Sequence, residues 1–162
     1  MKGRMNMIRV LFVCLGNICR SPMAEAVFRD LVDKENLTGK IEADSGGIGD
    51  WHSGEPPHKG TRKLLDKYQI GYKELKARQV NISDWGNFDY IIAMDEQNRK
   101  DMQNLSNNAG SAKLAKLMDF VEDPQEENIP DPYYTGNFDY TYELISEGCN
   151  KLLKYIRAEN NI

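Results

Sequence analysis

Short apolar runs alternate along this chain with stretches whose apolar residues recur at helical spacing. Ile8-Arg9-Val10-Leu11-Phe12-Val13 is a nearly continuous apolar run, the pattern of a strand buried on both faces of a parallel sheet. It stops at Cys14-Leu15-Gly16-Asn17-Ile18-Cys19-Arg20-Ser21-Pro22. Pro22 suits the first turn of a helix, where its missing N–H costs nothing. Met23, Val27 and Leu31, with Ala24 and Phe28 alongside, form the apolar stripe of that helix. Ile41 to Ser45 predicts a short strand ending in a Gly46-Gly47 turn. Leu64, Leu65 and Tyr68 mark one face of a helix from about His58 to Lys67, with Gly71 placed to end it. Tyr90 to Met94 is a second buried strand, and Asp95-Glu96 open a helix with acids at its positive end. Lys113 to Leu117 is a further strand candidate. Ile145, Cys149, Leu152, Leu153 and Ile156 share one face of a C-terminal helix. Strands alternating with helices imply a three-layer α/β fold with a mostly parallel sheet. Such a sheet binds ligands at the carboxyl ends of its strands, near the switch in strand order, and Cys14 stands where the first strand ends.

Length and composition narrow the classes. The 162 residues suit one domain, with residues 1–6 expected as a flexible N-terminal extension. Hydrophobic residues at 40% and charged residues at 28% exclude a disordered, collagen-like or coiled-coil chain. Net charge −4 argues against nucleic-acid binding through bulk positive charge, and at first sight against an anionic substrate. Any anion site must therefore be a local device. Three cysteines, Cys14, Cys19 and Cys149, are an odd number without disulfide-scaffold spacing, so a reducing, cytoplasmic location is expected. Two histidines, His52 and His58, and no C-x-x-C pair make a metal centre improbable, and no cofactor is implied. The apolar stretch Val10 to Leu15, after Lys2, Arg4 and Arg9, is too short for a secretion signal, and nothing approaches membrane-spanning length.

The loop from Cys14 to Arg20 carries the chemistry. A turn between a strand and a helix N-terminus directs backbone N–H groups inward as an anion nest, reinforced by the helix dipole. Gly16 and Asn17 tolerate the backbone angles such a turn needs. Arg20 adds a planar fork that grips two phosphoryl oxygens. Beside an arginine at a helix N-terminus, a thiol pKa can fall from about 8.5 to roughly 3.5–7.5. The thiolate then becomes the predominant form, at the floor of a phosphate-sized cup. C-x5-R alone is a weak signal. Its context of strand, Gly-Asn, Ser-Pro and helix is much more specific, and neither G-x-x-x-x-G-K nor G-x-G-x-x-G occurs here.

Val13 to Pro22, V-C-L-G-N-I-C-R-S-P, resembles the signature of the low-molecular-weight protein tyrosine phosphatases. The resemblance extends through Asp44-Ser45-Gly46, Trp51, Lys76-Ala77-Arg78-Gln79, Phe88 to Glu96 and Asp131-Pro132-Tyr133-Tyr134, in family order over nearly the whole chain. It implies a Rossmann-like (flavodoxin-like) fold whose central four-stranded parallel sheet is flanked by helices. It also implies metal-independent hydrolysis of phosphotyrosine through a phosphocysteine intermediate. Cys14 matches the nucleophile, and Arg20 the residue that binds the phosphoryl oxygens and stabilises the transition state. Asp131 matches the general acid and base, which a phenolate leaving group requires. Pro132 restricts Asp131 to extended backbone. Ser21 matches the hydroxyl that hydrogen-bonds the thiolate, Asn17 and Ser45 the polar network supporting the loop, and Asp95 the carboxylate orienting the arginine. Leu15, Trp51 and Tyr133, with Tyr134 beside them, match the apolar walls around a flat ring, and Gly16, Ile18 and Cys19 complete the loop around the phosphate. Cys19 matches a cysteine that forms a reversible disulfide with the nucleophile. Its bland alternative is a small buried residue, which is also how Cys149 reads. The implied partners are phosphotyrosine proteins or peptides, with inorganic phosphate as product, and the implied state is a monomer that binds neither nucleic acid nor membrane.

Departures and alternatives also follow. Leu75 stands where mammalian members carry a histidine in the loop network. Asp119 to Asp131 holds six acids and no basic residue, which reads as a solvated loop and secondarily as a lip repelling acidic phosphopeptides. A thiol-dependent arsenate reductase would need relay cysteines between Arg20 and Gly148, and there are none. Protein arginine phosphatases of the same family carry threonine four residues after the nucleophile, where this chain has Ile18. An inactive phosphate-binding module would have no use for Cys14, Arg20, Ser21 and Asp131 together.

Overall fold

The computed structural model describes residues 7–106 and 110–162; the expected N-terminal extension, residues 1–6, lies outside them. The chain runs β1 (Ile8–Cys14), α1 (Arg20–Lys34), β2 (Ile41–Gly47), α2 (Lys59–Lys67), α3 (Asp84–Asn87), β3 (Tyr90–Ala93), α4 (Glu96–Ser106) and β4 (Lys113–Lys116). A 3-10 turn (Leu117–Phe120), α5 (Pro132–Thr135) and α6 (Phe138–Asn160) complete it. The four strands form one sheet in the order β2-β1-β3-β4, and every pairing is parallel. The expected three-layer α/β fold with a four-stranded parallel sheet is therefore present.

Both faces of β1 are covered because its side chains alternate and all are apolar after Arg9. Val10 and Phe12 enter the larger core with Met23 and Phe28 of α1, Leu65 of α2 and Leu144, Ile145 and Leu152 of α6. Leu11 and Val13 enter the smaller core on the other face with Val80, Trp85 and Met102. Burying a side chain such as Phe12 contributes about 1.5–3 kcal/mol. This two-sided burial holds β1 at the centre of the sheet and fixes where Cys14 emerges.

Local boundaries depart from the sequence pattern in several places, by one residue at the ends of β3 and β4 and by more elsewhere. β2 does not end at Gly46-Gly47; it continues through Gly47, pairing Cys14 with Gly47. A Cβ on Gly47 would stand 3.0 Å from Asn17 Cβ and Gly16 C, so glycine lets the loop after β1 lie directly against β2. Gly71 does not end α2, because the chain has already turned at Gln69, whose φ is 58°. α6 begins at Phe138, two turns before its apolar stripe becomes obvious. The short helices α3 and α5 carry too few residues for periodicity to show. In the acidic stretch, Glu126 accepts from the Tyr140 hydroxyl and Asp119 caps the 3-10 turn. Most of its remaining acids are exposed, as a solvated loop requires.

The order of the strands decides where a site can form. The chain leaves β1 for β2 on one side and returns to place β3 on the other. The carboxyl ends of β1 and β3 thus flank the switch point of the sheet, which brings the loop after Cys14 beside Asp95.

Candidate active site

Cys14 ends β1 and is buried. Its Sγ lies 3.0 Å from Ser21 Oγ and accepts the Ser21 N–H at 3.4 Å. Ser21 is the second residue of α1, so an N–H from the helix's first turn points at the sulfur. The backbone N–H groups of Leu15 to Arg20 find no acceptor among the described residues. Asn17 makes the bend, with φ 57°. Gly16 has no positive φ; what it supplies is room, since a Cβ there would come 3.3 Å from His52 Cδ2.

Arg20 is almost fully enclosed, its side chain 3% exposed. Nη1 donates to Asp95 Oδ2 at 2.8 Å and to the Ile129 carbonyl at 2.8 Å. Nη2 reaches Asp131 Oδ2 at 3.3 Å, while Nε has no partner among the described residues. Nη1 is tied to the fold, while Nε–H and the second N–H of Nη2, beside the one that reaches Asp131, form the edge left for a ligand. That edge is the one that grips an oxyanion with two parallel hydrogen bonds. Burial works against the Arg20 charge, but Cys14, Asp131 and Asp95 together outweigh it and raise its pKa. The guanidinium stays charged at every pH of interest.

Asp95 has two tasks at once. Oδ1 accepts the Asn98 N–H at 2.8 Å at the start of α4, and Oδ2 holds Arg20. Asp131 caps α5 by accepting the Tyr133 N–H at 3.1 Å, and its extended backbone follows from Pro132 behind it. Asn17 Nδ2 donates to Ser21 Oγ at 2.7 Å and to Ser45 Oγ at 3.0 Å, and its Oδ1 accepts the Arg78 N–H. The expected loop network therefore forms, and Leu75 adds no polar group to it; it is buried in the core.

Above the loop lies a pocket of about 370 Å³ lined by Cys14, Leu15, Gly16, Ile18, Cys19, Trp51, His52, Asp131, Tyr133 and Tyr134. Trp51, Tyr133 and Tyr134 are 65%, 53% and 74% exposed. They stand as rim walls of the pocket. Cys19 is buried, and burial first, then the nearby Cys14 and Asp131, push its thiol up to about 12. Cys149 is buried in the core, and burial alone raises its pKa. A larger groove of about 690 Å³ runs along the β2 edge, with Arg9, Arg29, Asp33 and Glu42 in its lining. No thiol or imidazole lines it.

In the sequence neither histidine has a site role and Glu25 has none. His52 lines the pocket with its Nδ1 3.1 Å from Glu55. His58 caps α2, stacks on Phe138 and meets the Tyr133 ring edge-on at 5.9 Å. Neither has a local motif; both matter because their rings approach Tyr133 of α5, at 6.4 Å and 5.9 Å. Glu25 lies inside the apolar helix α1, where nothing in the sequence separates a buried carboxylate from a solvated one.

A thiol beneath unpaired amides, a half-open guanidinium and an adjacent carboxylate define the class: a cysteine site whose donors are arranged to receive an oxyanion. A family model described as low molecular weight phosphotyrosine protein phosphatase matches residues 9–161. The chain is 51% identical over 156 residues to the low molecular weight protein-tyrosine-phosphatase YfkJ of Bacillus subtilis, covering 96% of this chain and 100% of that protein. The crystal structure of YfkJ superposes with a TM-score of 0.93 at 52% identity, over 97% and 99% of the two chains. A Drosophila arginine phosphatase structure superposes with a TM-score of 0.86 at 33% identity, over 93% and 98%. This chain belongs to the low molecular weight phosphotyrosine protein phosphatase family.

Proposed function

We propose that this chain hydrolyses phosphotyrosine in proteins and peptides, and small aryl phosphates, through a phosphocysteine intermediate. The observation that carries the proposal is the buried Nε–H of Arg20, unpartnered beside a thiol and a run of unpaired backbone N–H groups. In the first step Cys14 Sγ attacks phosphorus, the P–O bond to the phenol breaks, and Asp131 gives the leaving oxygen its proton. In the second step water attacks phosphorus, Asp131 takes its proton, and the S–P bond breaks to release inorganic phosphate. Arg20 and the loop amides hold the equatorial oxygens through both steps. Ser21 supports the sulfur when it leaves. No step calls for a metal or cofactor.

Tyrosine over arginine is supported by Ile18, which is buried in the loop and lines the pocket without a polar atom. Trp51, Tyr133 and Tyr134 add flat apolar walls suited to a phenyl ring. A phosphotyrosine peptide should exceed a phosphoarginine protein in kcat/KM by at least about tenfold, the scale of apolar-pocket discrimination; the reverse order would make the chain an arginine phosphatase. Asp131→Asn should cost about 10²–10⁴-fold in kcat with phenyl phosphate, and less as the leaving group becomes more acidic. Equal losses across a leaving-group series would remove Asp131 as the acid. The chain is proposed to act as a cytoplasmic monomer. Its three unbridged cysteines support that location, and no helix among the described residues is long and apolar enough to cross a membrane.

Cys19 is proposed as a redox guard. Peroxide would convert Cys14 to the sulfenic acid; the Cys19 sulfur then attacks it, an S–S bond forms, and water leaves. With its thiol pushed up to about 12, Cys19 reacts slowly and only at close range. Cys19→Ser should therefore lose activity to peroxide irreversibly, whereas dithiothreitol restores the wild type. Equal recovery of both would show that Cys19 is only a filler.

A further inference from the structure

The hydrogen bonds behind the phosphate loop have a direction that the atoms themselves dictate. Asn17 Oδ1 accepts from Arg78 N–H, so the amide is held one way round and Nδ2 faces both serines. Each serine hydroxyl thus receives a hydrogen from Asn17 and must send its own elsewhere. Ser21 has Cys14 Sγ 3.0 Å away. Ser45 donates to Glu25 Oε1 at 2.7 Å. The chain of bonds that begins at the nucleophile ends on a carboxyl group in the protein interior.

Glu25 is 3% exposed on α1, flanked by Ala24 and Ala26, which are also buried. Its second oxygen, Oε2, lies 2.8 Å from Arg29 Nη2, one turn along the same helix. From β2 it faces Ser45 and feels Asp44; from the segment after Leu75 it feels Arg78. Arg29 also lies 3.9 Å from Glu74. The salt bridge to Arg29 cannot explain why the carboxyl is buried, since Arg29 itself is 45% exposed and could be met at the surface. Burial costs the carboxylate its hydration, and what it gains inside is the Ser45 hydroxyl.

We propose that Glu25 is a positioning residue for catalysis: by accepting the Ser45 hydroxyl it keeps Ser45 Oγ an acceptor for Asn17 Nδ2, and with Arg78 N–H on the other end this holds the amide that directs the Ser21 hydroxyl at Cys14. The proposal rests on Cys14 as the nucleophile. Glu25 touches neither substrate nor sulfur and acts only through the chain of bonds. Without the acceptor, the Ser45 O–H turns to compete with Arg78 N–H for Asn17 Oδ1, Nδ2 is displaced, and the Ser21 hydroxyl is free to turn away from the sulfur. The loss should fall on kcat, where the thiolate must leave, more than on phosphate affinity, which Arg20 and the amides supply.

Burial pushes the Glu25 carboxyl up to about 7, against the hydrogen bond from Ser45 and the charge of Arg29, with Asp44 adding to the rise and Arg78 opposing it. A carboxyl raised in the fold stabilises the protein most below its unfolded pKa of about 4.3, and that contribution is lost as pH rises through 7. Glu25→Gln, which keeps an acceptor but cannot ionise, should therefore gain in Tm relative to wild type between pH 5 and pH 8. A gap that stays constant would overturn the assignment of a buried, ionising carboxyl at the end of the chain.

The decisive experiment is a cycle with Ser21. Glu25→Leu should lower kcat for p-nitrophenyl phosphate by roughly 10- to 100-fold, with inhibition by inorganic phosphate changed less than about threefold. Glu25→Gln should recover most of that kcat. In a Ser21→Ala background the Glu25→Leu penalty should disappear, because the group it positions is gone. Penalties that multiply, or a Glu25→Leu kcat within twofold of wild type, would overturn the proposal. If Glu25→Leu does not fold, Ser45→Ala cuts the next link and must show the same non-additivity with Ser21→Ala. A wild type no faster than Cys14→Ser would instead defeat the phosphatase reading, so the two failures are distinguishable.

Discussion

Cys14→Ser should lower the turnover of p-nitrophenyl phosphate by on the order of 10⁴-fold or more, about 5.5 kcal/mol of transition-state stabilisation. An alcohol is un-ionised at neutral pH and a poor leaving group from phosphorus, so both chemical steps suffer. Binding should survive. Ser21 N–H, the loop amides and Arg20 are untouched, and an oxygen replaces a sulfur that is already buried among hydrogen-bond donors. Inorganic phosphate should therefore bind the variant with a Kd within about threefold of wild type, a difference under 1 kcal/mol. Steady-state kinetics and calorimetric titration of phosphate measure the two quantities separately. Wild-type turnover no faster than that of the variant, with phosphate binding intact, would make the loop a phosphate-binding module.

The second large effect belongs to Arg20. Arg20→Lys keeps a positive charge in the same place, yet kcat/KM should fall by about 10³-fold, the scale for losing preorganised oxyanion donors. The reason is in the division of the guanidinium. Nη1 is spent on Asp95 and the Ile129 carbonyl, and the Nε–Nη2 edge is what a phosphoryl group meets. A single ammonium cannot satisfy both sides. Tm should also drop, because the Ile129 carbonyl loses its buried donor at a cost of about 1–3 kcal/mol. A loss in kcat/KM of less than tenfold would show that charge suffices and that the fork geometry is irrelevant.

Both predictions depend on features of different legibility. The apolar run of β1, the C-x5-R loop and the Ser-Pro that opens α1 lie within fifteen consecutive residues. Local order there is enough to place a thiol at a strand end under a helix N-terminus. Asp131 and Asp95 carry no local mark of function, and D-P is common in turns. Only the likeness to a family marks them in the sequence, and it is the β2-β1-β3-β4 order that sets Asp95 beside Arg20. Ile129 entered the site through its backbone carbonyl, which no side-chain motif can announce.

The net charge of −4 illustrates the same division. It suggested that anions would be unwelcome, but the field that a phosphate meets is set by one loop, one helix end and one buried guanidinium. Surface carboxylates facing water contribute little at that floor, since solvent screens them.

By itself the sequence determined the alternation of strand and helix, the two-sided burial of β1 and the position of Cys14 at its end. These follow from short continuous apolar runs and from apolar stripes at helical spacing, which act over a few neighbours. Only the tertiary structure decided which edge of Arg20 is left for a ligand, that His58 backs Tyr133, and that Glu25 lies at the end of the bonds behind the nucleophile. Those are relations between residues up to 111 positions apart. They are set by which helices pack on which face of the sheet, and no local pattern encodes them.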